Sequence, residues 1–455
     1  MSRSRNVWTA AALATVVSML FALVFHLLAV SGLVPGANEA ADARKAAIQA
    51  AAERANTIEG VFVDRFGEPI TLAPATPGTP AQPVDPEATS YLIGYSSAIF
   101  GESGLRARCR TADGGKDGVG PEVHLTIDSQ LQAFCYKQLE GSEGSVIVLD
   151  ADTGEILAMT SRSSGELGFD LTRLEENWSV YNAIDGFWYD RCLFAEDPPG
   201  SCFKLTTAAS LIEHSAADFQ CSDDGGEYKV AGTVLHNAGN ASFGDQIDLQ
   251  TALTSSINIY FAKAAAEQLG ARTLTETARG FLYGETFETD LGRISGTFGL
   301  NENSNKLLLT QTAFGQGRTA ACPLQICLTM SAVISCSGKI PRPYVVDFTV
   351  DDGKQSRKTR PETLSAPISP KTADTLRAML CNTAEAYGFD PDLYGTAAMK
   401  TGTADQANGL NHIYLLCGVE HGDRHLCILI DRRNTTEPSG ALFPQMKEIL
   451  TYLQS

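Results

Sequence analysis

The sequence predicts an α+β domain whose sheet is closed by strands from distant parts of the chain. Two observations predict it. Short strand-like runs, SVIVLD and EILAMTS on one side and AAMKTGTA, HIYLLCGVE and HLCILIDRR on the other, bracket the stretch from Lys204 to Leu380, which is mostly helical in pattern with loops. Strands gathered at both ends with helices between them mark segregated layers rather than alternating βαβ units. At 455 residues and 44% apolar composition the chain exceeds one ordinary domain and can bury a large core, which excludes disorder for most of it. Its net charge of -18, unbroken by any basic block, argues against a nucleic-acid partner, whose phosphates it would repel.

The first element is apolar. From Val7 to Val34 there is no Asp, Glu, Lys or Arg, enough chain to cross a bilayer as one helix. Arg3 and Arg5 precede it, and Glu39 and Asp42 are the first charges after it. The positive-inside bias then places the N-terminus in the cytoplasm and everything after Val34 outside, as a single-pass protein of the cell membrane. A cleaved signal peptide is the competing reading, aided by small residues around Ala37 to Ala41, but its apolar core runs only roughly 7–15 residues. Ala37 to Asn56, rich in Ala with Glu, Arg and Lys, reads as a short exposed helix leaving the membrane, or as a plain linker.

In IEGVFVDRFGEPITLA, Phe66-Gly67 between two apolar runs predicts a hairpin, and Pro74 to Pro86 predicts a loop. The large domain begins near Pro121. Val123 to Ile127 alternates as a strand does, and Asp128 is placed to cap the helix that follows, SQLQAFCYKQLE. Ala151-Asp152-Thr153-Gly154 is a tight turn joining SVIVLD to EILAMTS, and a helix from Phe443 to Leu453 closes the chain. The expected division is a tail over residues 1–6, an anchor over 7–34, a stalk and small region over 35–120, and one large domain over 121–455. The eleven cysteines are odd in number and scattered, with no CxxC pair and no nearby His pair, so a zinc site is not expected. Cys322, Cys327 and Cys427 lie in apolar runs and are expected as buried small hydrophobes.

Three short motifs carry chemistry. In PPGSCFKLTTAASLIE, Ser201 stands at a helix start and Lys204, three residues on, shares its face. A serine hydroxyl becomes a nucleophile when a neighbour takes its proton, which a lysine of depressed pKa can do. Alone, the pair is equally a capping serine and a surface lysine. In TSSINIYFAKAAAEQLG, Ser256 and Asn258 open a helical run, offering a hydroxyl for proton relay and an amide for a peptide backbone, or simply a helix cap. In MKTGTA, Gly402 within a strand marks close approach of another backbone or a ligand, and Lys400, Thr401 and Thr403 suit a carboxylate; an edge strand guarded by Lys is the alternative.

In this order the three motifs are the set of penicillin-binding proteins and class A β-lactamases, the latter with Asp where Ile257 stands here. From about Ile58 to its end the chain resembles the class B penicillin-binding proteins. The resemblance rests on GVFVDRFGEPI, LTIDSQLQ, LDADTGEILAMTS, AFGQGRTAACPLQICLTMSAVISCSGKIPRP and the KTGTA segment, in family order. YLIGYSSAIFGESGLRA and the short region before the large domain resemble the small members with a reduced pedestal. The sequence departs from the family at Met399, where Gly is usual, in NHIYLLCGV, which lacks a Trp-Phe pair, and after Ser161-Arg162, where a proline is common.

The resemblance implies the penicillin-binding transpeptidase fold, an antiparallel sheet with flanking helices and a helical subdomain. It implies a peptidoglycan D,D-transpeptidase. Ser201 would attack the penultimate D-Ala of a stem peptide, Lys204 would accept its proton, and Ser256 would relay one to the leaving amine. Asn258 would hold the substrate amide, Lys400, Thr401 and Thr403 the terminal carboxylate beside Gly402, and the N–H groups of Ser201 and Thr403 the oxyanion. β-Lactams would trap Ser201. Stem peptides, lipid-linked precursors and a membrane glycosyltransferase are the implied partners, with no metal or organic cofactor. A serine β-lactamase is the less favoured reading, since no Glu-x-x-x-Asn stretch follows Asn258. A β-lactam sensor usually carries more membrane segments. A non-catalytic wall-assembly partner with the same fold is opposed by the intact motifs.

Overall fold

The computed structural model describes residues 58–72, 81–97, 100–111, 120–163, 174–184, 186–406 and 408–455. The expected anchor over Val7 to Val34 and the stalk over Ala37 to Asn56 lie outside these residues. Among the described residues no helix is long and apolar enough to cross a membrane. The chain divides into two units, Met1–Ile58 with Thr111–Gly114, and Glu59–Arg110 with Gly115–Ser455. The elements below belong to the second.

Its frame is a five-stranded antiparallel sheet. The expected hairpin forms from β1 (Gly144–Asp150) and β2 (Ile156–Arg162), and the three C-terminal runs form β3 (Ala397–Asp405), β4 (Asn411–His421) and β5 (Arg424–Thr435). The order β2-β1-β5-β4-β3 joins the two sequence-distant groups where Val146 lies opposite Ile430 and Val148 opposite Ile428. The β1–β2 turn is set by Asp150, whose Oδ1 accepts from the N–H groups of Asp152 and Thr153, both at 2.9 Å.

Both faces of the sheet are covered, so its strands read as apolar runs rather than clean alternations. Alternation still decides which core each side chain enters. Ile147, Leu149, Ala398, Tyr414, Leu416 and Leu429 enter one core, and Val146, Val148, Met399, Ile413, Leu415 and Ile428 the other. The first face carries the helix Pro323–Ile334, which is buried at every residue. It lies close on β4 because Gly418 has no side chain: a Cβ there would stand 2.8 Å from Ile334 Cβ and 2.9 Å from Met330 Cγ. The second face carries the helices Ser129–Lys137 and Phe443–Gln454 through Leu131, Cys135, Met446 and Ile449. Asp128 caps the first of these, accepting from the N–H groups of Gln130 and Leu131 at 3.0 Å. All eleven cysteines are free thiols, and Cys322, Cys327 and Cys427 are fully buried as expected.

The chain adds strands and a helix beyond those expected. The hairpin forms as expected at Gly67 (φ 85), with Val63 opposite Pro69 and the Ile70 N–H donating to the Phe62 carbonyl, and its second arm runs on through Thr71–Leu72 to pair with Gln82–Pro83. Within the expected loop, Asp85 caps a helix, Pro86–Ile93; an N-cap Asp before an N1 proline was a readable start signal. The stretch from Lys204 to Leu380 is also less helical than expected. It contains the hairpin of Glu227–Val230 with Thr233–His236, and the strand Val346–Asp351. That strand pairs with Glu122–Leu125, which pairs in parallel with Val61–Val63. These strands are short and half-exposed, so no apolar run announces them.

Candidate active site

The turn bearing Ser201 forms because Gly200 adopts φ 51, a left-handed conformation that costs glycine nothing, and the chain then enters a tight helical turn, Gly200–Phe203, leading into the helix Lys204–Glu213. The turn is pressed against β3. A Cβ on Gly200 would stand 2.4 Å from the Thr403 carbonyl oxygen and 3.0 Å from its nitrogen. A Cβ on Gly402 would stand 2.7 Å from Cys202 Sγ and 3.2 Å from the Pro199 carbonyl. Gly402 thus does allow the close backbone approach its strand position suggested. The backbones of Ser201 and Thr403 are thereby neighbours across a gap that admits no extra side chain.

Lys204 is fully buried. Its Nζ lies 2.6 Å from the Ser256 carbonyl, 2.7 Å from Asn258 Oδ1 and 3.0 Å from Ser256 Oγ. Burial, and next the positive charge of Lys400, hold its pKa well below the ordinary 10.5. An uncharged amine keeps two protons, which fit the two carbonyl-type acceptors, and its lone pair is then open to a proton. Ser256 adopts φ 55, rare for a residue with a side chain, and so carries stored strain where the helix Asn258–Ala264 begins. Its Oγ bridges both amines, since Lys400 Nζ is also 3.0 Å away. Asn258 is fixed at both ends of its amide, its Nδ2 donating to the His236 carbonyl at 2.9 Å.

Lys400 is fully buried and its Nζ also donates to the Thr401 carbonyl at 3.0 Å, so the reading of a solvated edge lysine fails. Thr401 Oγ1 meets Tyr387 Oη at 3.2 Å. Ser201, Ser256, Asn258, Thr401, Gly402 and Thr403 line one cleft of about 560 Å³, with Lys204 and Lys400 forming its floor beneath Ser256. All eight residues singled out in the sequence therefore converge. Among the described residues Ser201 Oγ has no hydrogen-bond partner, as suits a hydroxyl awaiting substrate. The sequence reading missed His236, Asn237, Phe314 and Gln316, which also line the cleft. Gly315, whose Cβ would stand 1.7 Å from the Gly200 carbonyl, was the readable signal for that second contact.

A tight turn bearing a serine, a buried lysine held well below its ordinary pKa, a bridging serine and a second lysine on an edge strand are the parts that a serine site of the acyl-enzyme type requires. The chain belongs to the family of the penicillin binding protein transpeptidase domain, whose model matches residues 144–417. It is 25% identical over 339 residues to penicillin-binding protein 3 of Bacillus subtilis, covering 71% of this chain and 49% of that one. It is 26% identical to the peptidoglycan D,D-transpeptidase PbpA of Mycolicibacterium smegmatis, covering 70% of this chain and 71% of that one. The chain thus spans about half the length of the Bacillus relative. Among solved structures, the D,D-transpeptidase domain of a peptidoglycan glycosyltransferase from Eggerthella lenta superposes with TM-score 0.78 at 24% identity, over 88% of this chain and all of that one. Penicillin-binding protein A of Mycobacterium tuberculosis gives TM-score 0.77 at 20% identity, over 87% and 99%. At these identities the structures establish the fold.

Proposed function

We propose that this chain is a peptidoglycan D,D-transpeptidase, held in the cell membrane by Val7 to Val34 with its N-terminus cytoplasmic and the domain from residue 121 outside. One observation carries the reading: Ser201 opens onto the cleft beneath which Lys204 is buried with its pKa held well below the ordinary value, with Ser256 between that amine and Lys400. Ser201 Oγ attacks the carbonyl of the penultimate D-Ala and its proton passes to Lys204. The N–H groups of Ser201 and Thr403, brought together by Gly200, receive the oxyanion. Ser256 passes its proton to the nitrogen of the departing D-Ala and takes in return the one held by Lys204, 3.0 Å away; the C–N bond breaks, and Ser201 is left as an ester. Lys400, Thr401 and Thr403 hold the terminal carboxylate, and Asn258 the peptide backbone. An amine of a second stem peptide then takes the acyl group and restores Ser201. Lipid-linked precursors and a membrane glycosyltransferase that supplies glycan strands are the partners this reaction requires. A β-lactam stops at the ester, and a relative of the same fold has been seen as a penicillin G acyl-enzyme.

Intact-mass spectrometry of the ectodomain after incubation with penicillin tests this. A persistent adduct on Ser201, absent in Ser201→Ala, is the expected result. Rapid release of the adduct would make the protein a β-lactamase, and no adduct on folded protein would make it a scaffold.

A further inference from the structure

Behind the nucleophile turn lies a buried charged network that the reaction above does not use. His412 on β4 is fully buried between two carboxylates. Its Nε2 is 2.9 Å from Asp431 Oδ1 on β5, and its Nδ1 is 3.4 Å from Asp197 Oδ2, in the segment that leads into the Ser201 turn. Nδ1 is also 2.9 Å from Tyr414 Oη, and Tyr414 Oη donates to the Pro198 carbonyl at 3.2 Å. The Tyr414 ring lies against Gly402, where a Cβ would be 3.1 Å from its Cδ2. The other charged groups facing this network are Arg433, 2.9 Å from Asp197, and Arg191, which adds positive potential at Asp197; Ser145 donates to Asp431. One chain of hydrogen bonds therefore runs from Asp431 through His412 and Tyr414 to the backbone three residues before the nucleophile, and it touches the strand that completes the cleft.

The direction of this chain depends on one proton. Asp431 requires a donor, so Nε2 carries a hydrogen in either charge state. If Nδ1 is protonated as well, it donates to Tyr414 Oη, and the tyrosine proton is free to serve the Pro198 carbonyl. If Nδ1 is bare, it becomes an acceptor, takes the tyrosine proton, and leaves that carbonyl without its donor. The flanking carboxylates favour the charged form and outweigh the burial that opposes it.

We propose that His412 and Tyr414 are positioning residues: the His412 imidazolium, clamped between Asp431 and Asp197, directs the Tyr414 hydroxyl onto the Pro198 carbonyl and so fixes the turn that presents Ser201. The inference rests on the acyl-serine reading of the cleft. Neither residue touches substrate, and each acts through the backbone of the nucleophile turn.

The second-order rate of acylation by a fluorescent penicillin, followed across the neutral and alkaline range, tests this in the full ectodomain. Tyr414→Phe keeps the ring on Gly402 and is expected to fold. It should acylate about five- to tenfold more slowly at neutral pH, the worth of one directed hydrogen bond. It should also lose the alkaline fall in rate that the wild type shows as His412 gives up its proton. His412→Asn removes the titrating imidazole from between Asp431 and Tyr414 and should likewise lose the alkaline fall. Should His412→Asn not fold, Tyr414→Phe decides alone. A Tyr414→Phe protein with the wild-type rate and pH profile would overturn the inference while leaving the transpeptidase reading intact. Wild-type protein that is not acylated at all would overturn both.

Discussion

Gly402→Ala is the sharpest perturbation the site offers, because the backbone there is ordinary and only space is at stake. The added methyl would begin 2.7 Å from Cys202 Sγ, 3.1 Å from Tyr414 Cδ2 and 3.2 Å from the Pro199 carbonyl. Carbon contacts are comfortable at roughly 3.5–4.0 Å, so β3 and the nucleophile turn must part by close to 1 Å. That displacement separates Ser201 from Thr403, the two donors proposed for the oxyanion, and a misplacement of about 1 Å can cost about a hundredfold in rate. Overpacking itself costs about 1–3 kcal/mol of stability. The second-order rate of acylation by a fluorescent penicillin should therefore fall about tenfold to a hundredfold in a protein that still melts cooperatively. The offending atom can be removed. Cys202→Ala deletes the Sγ and leaves contacts of 3.1 and 3.2 Å that small adjustments absorb. Combined with Gly402→Ala it should recover most of the rate, a coupling that a double-mutant cycle measures. Wild-type rates in Gly402→Ala, or no recovery in the double variant, would refute the claim that this contact sets the geometry.

Two further outcomes follow from the titrating groups. In the proposed reaction Lys204 must be uncharged to accept a proton, and its pKa is lowered, so the acylation rate should fall as pH drops through that lowered value rather than through the ordinary 10.5. Lys204→Arg places a group that does not shed its proton in the same pocket, and a stopped-flow acylation assay should show a loss of at least about a hundredfold. His412 has a raised pKa, so its contribution to stability is complete below its ordinary value of 6.5 and is lost as pH rises through the higher folded-state value. Thermal melts should show this alkaline loss in the wild type and a flatter curve in His412→Asn; identical curves would count against the charged state of His412.

The parts of the site that were legible in sequence are those in which a residue type does the work. Ser201, Lys204, Ser256, Asn258 and Lys400 each sit in a short local motif, and the flanking glycines and apolar runs announce the turn and the edge strand that carry them. The parts that were not legible use backbone atoms or partners remote in the chain. Asn258 is pinned by a carbonyl of His236, and any residue there could supply that atom. Tyr387 reaches Thr401 from the end of the helix Pro370–Ala386, a contact set by tertiary packing alone. Met399 shows the converse. It stands out in sequence as a departure beside Lys400, yet alternation along β3 sends it into the far core with Ile413 and Leu415.

The two lysines show why the site needs substrate to complete it. Both amines are buried and each is 3.0 Å from the same hydroxyl, so they stand no more than twice that distance apart. Among the described residues neither has a carboxylate within ion-pair distance. Burial is the larger cause of the lowered pKa of Lys204, and repulsion from the Lys400 charge so close in a dry floor adds to it. A carboxylate arriving at Lys400 cancels part of that repulsion. With the field of Lys400 offset, Lys204 becomes a better base, and it does so only when a ligand with an anionic end is in place beside Ser201. In the proposed reaction the C-terminal carboxylate of a stem peptide, or the carboxylate of a β-lactam, would do more than anchor the ligand: it would raise the proton affinity of the amine proposed to take the Ser201 proton. An uncharged ester analogue should then acylate more slowly than its binding loss alone explains, because the repulsion that weakens Lys204 as a base remains.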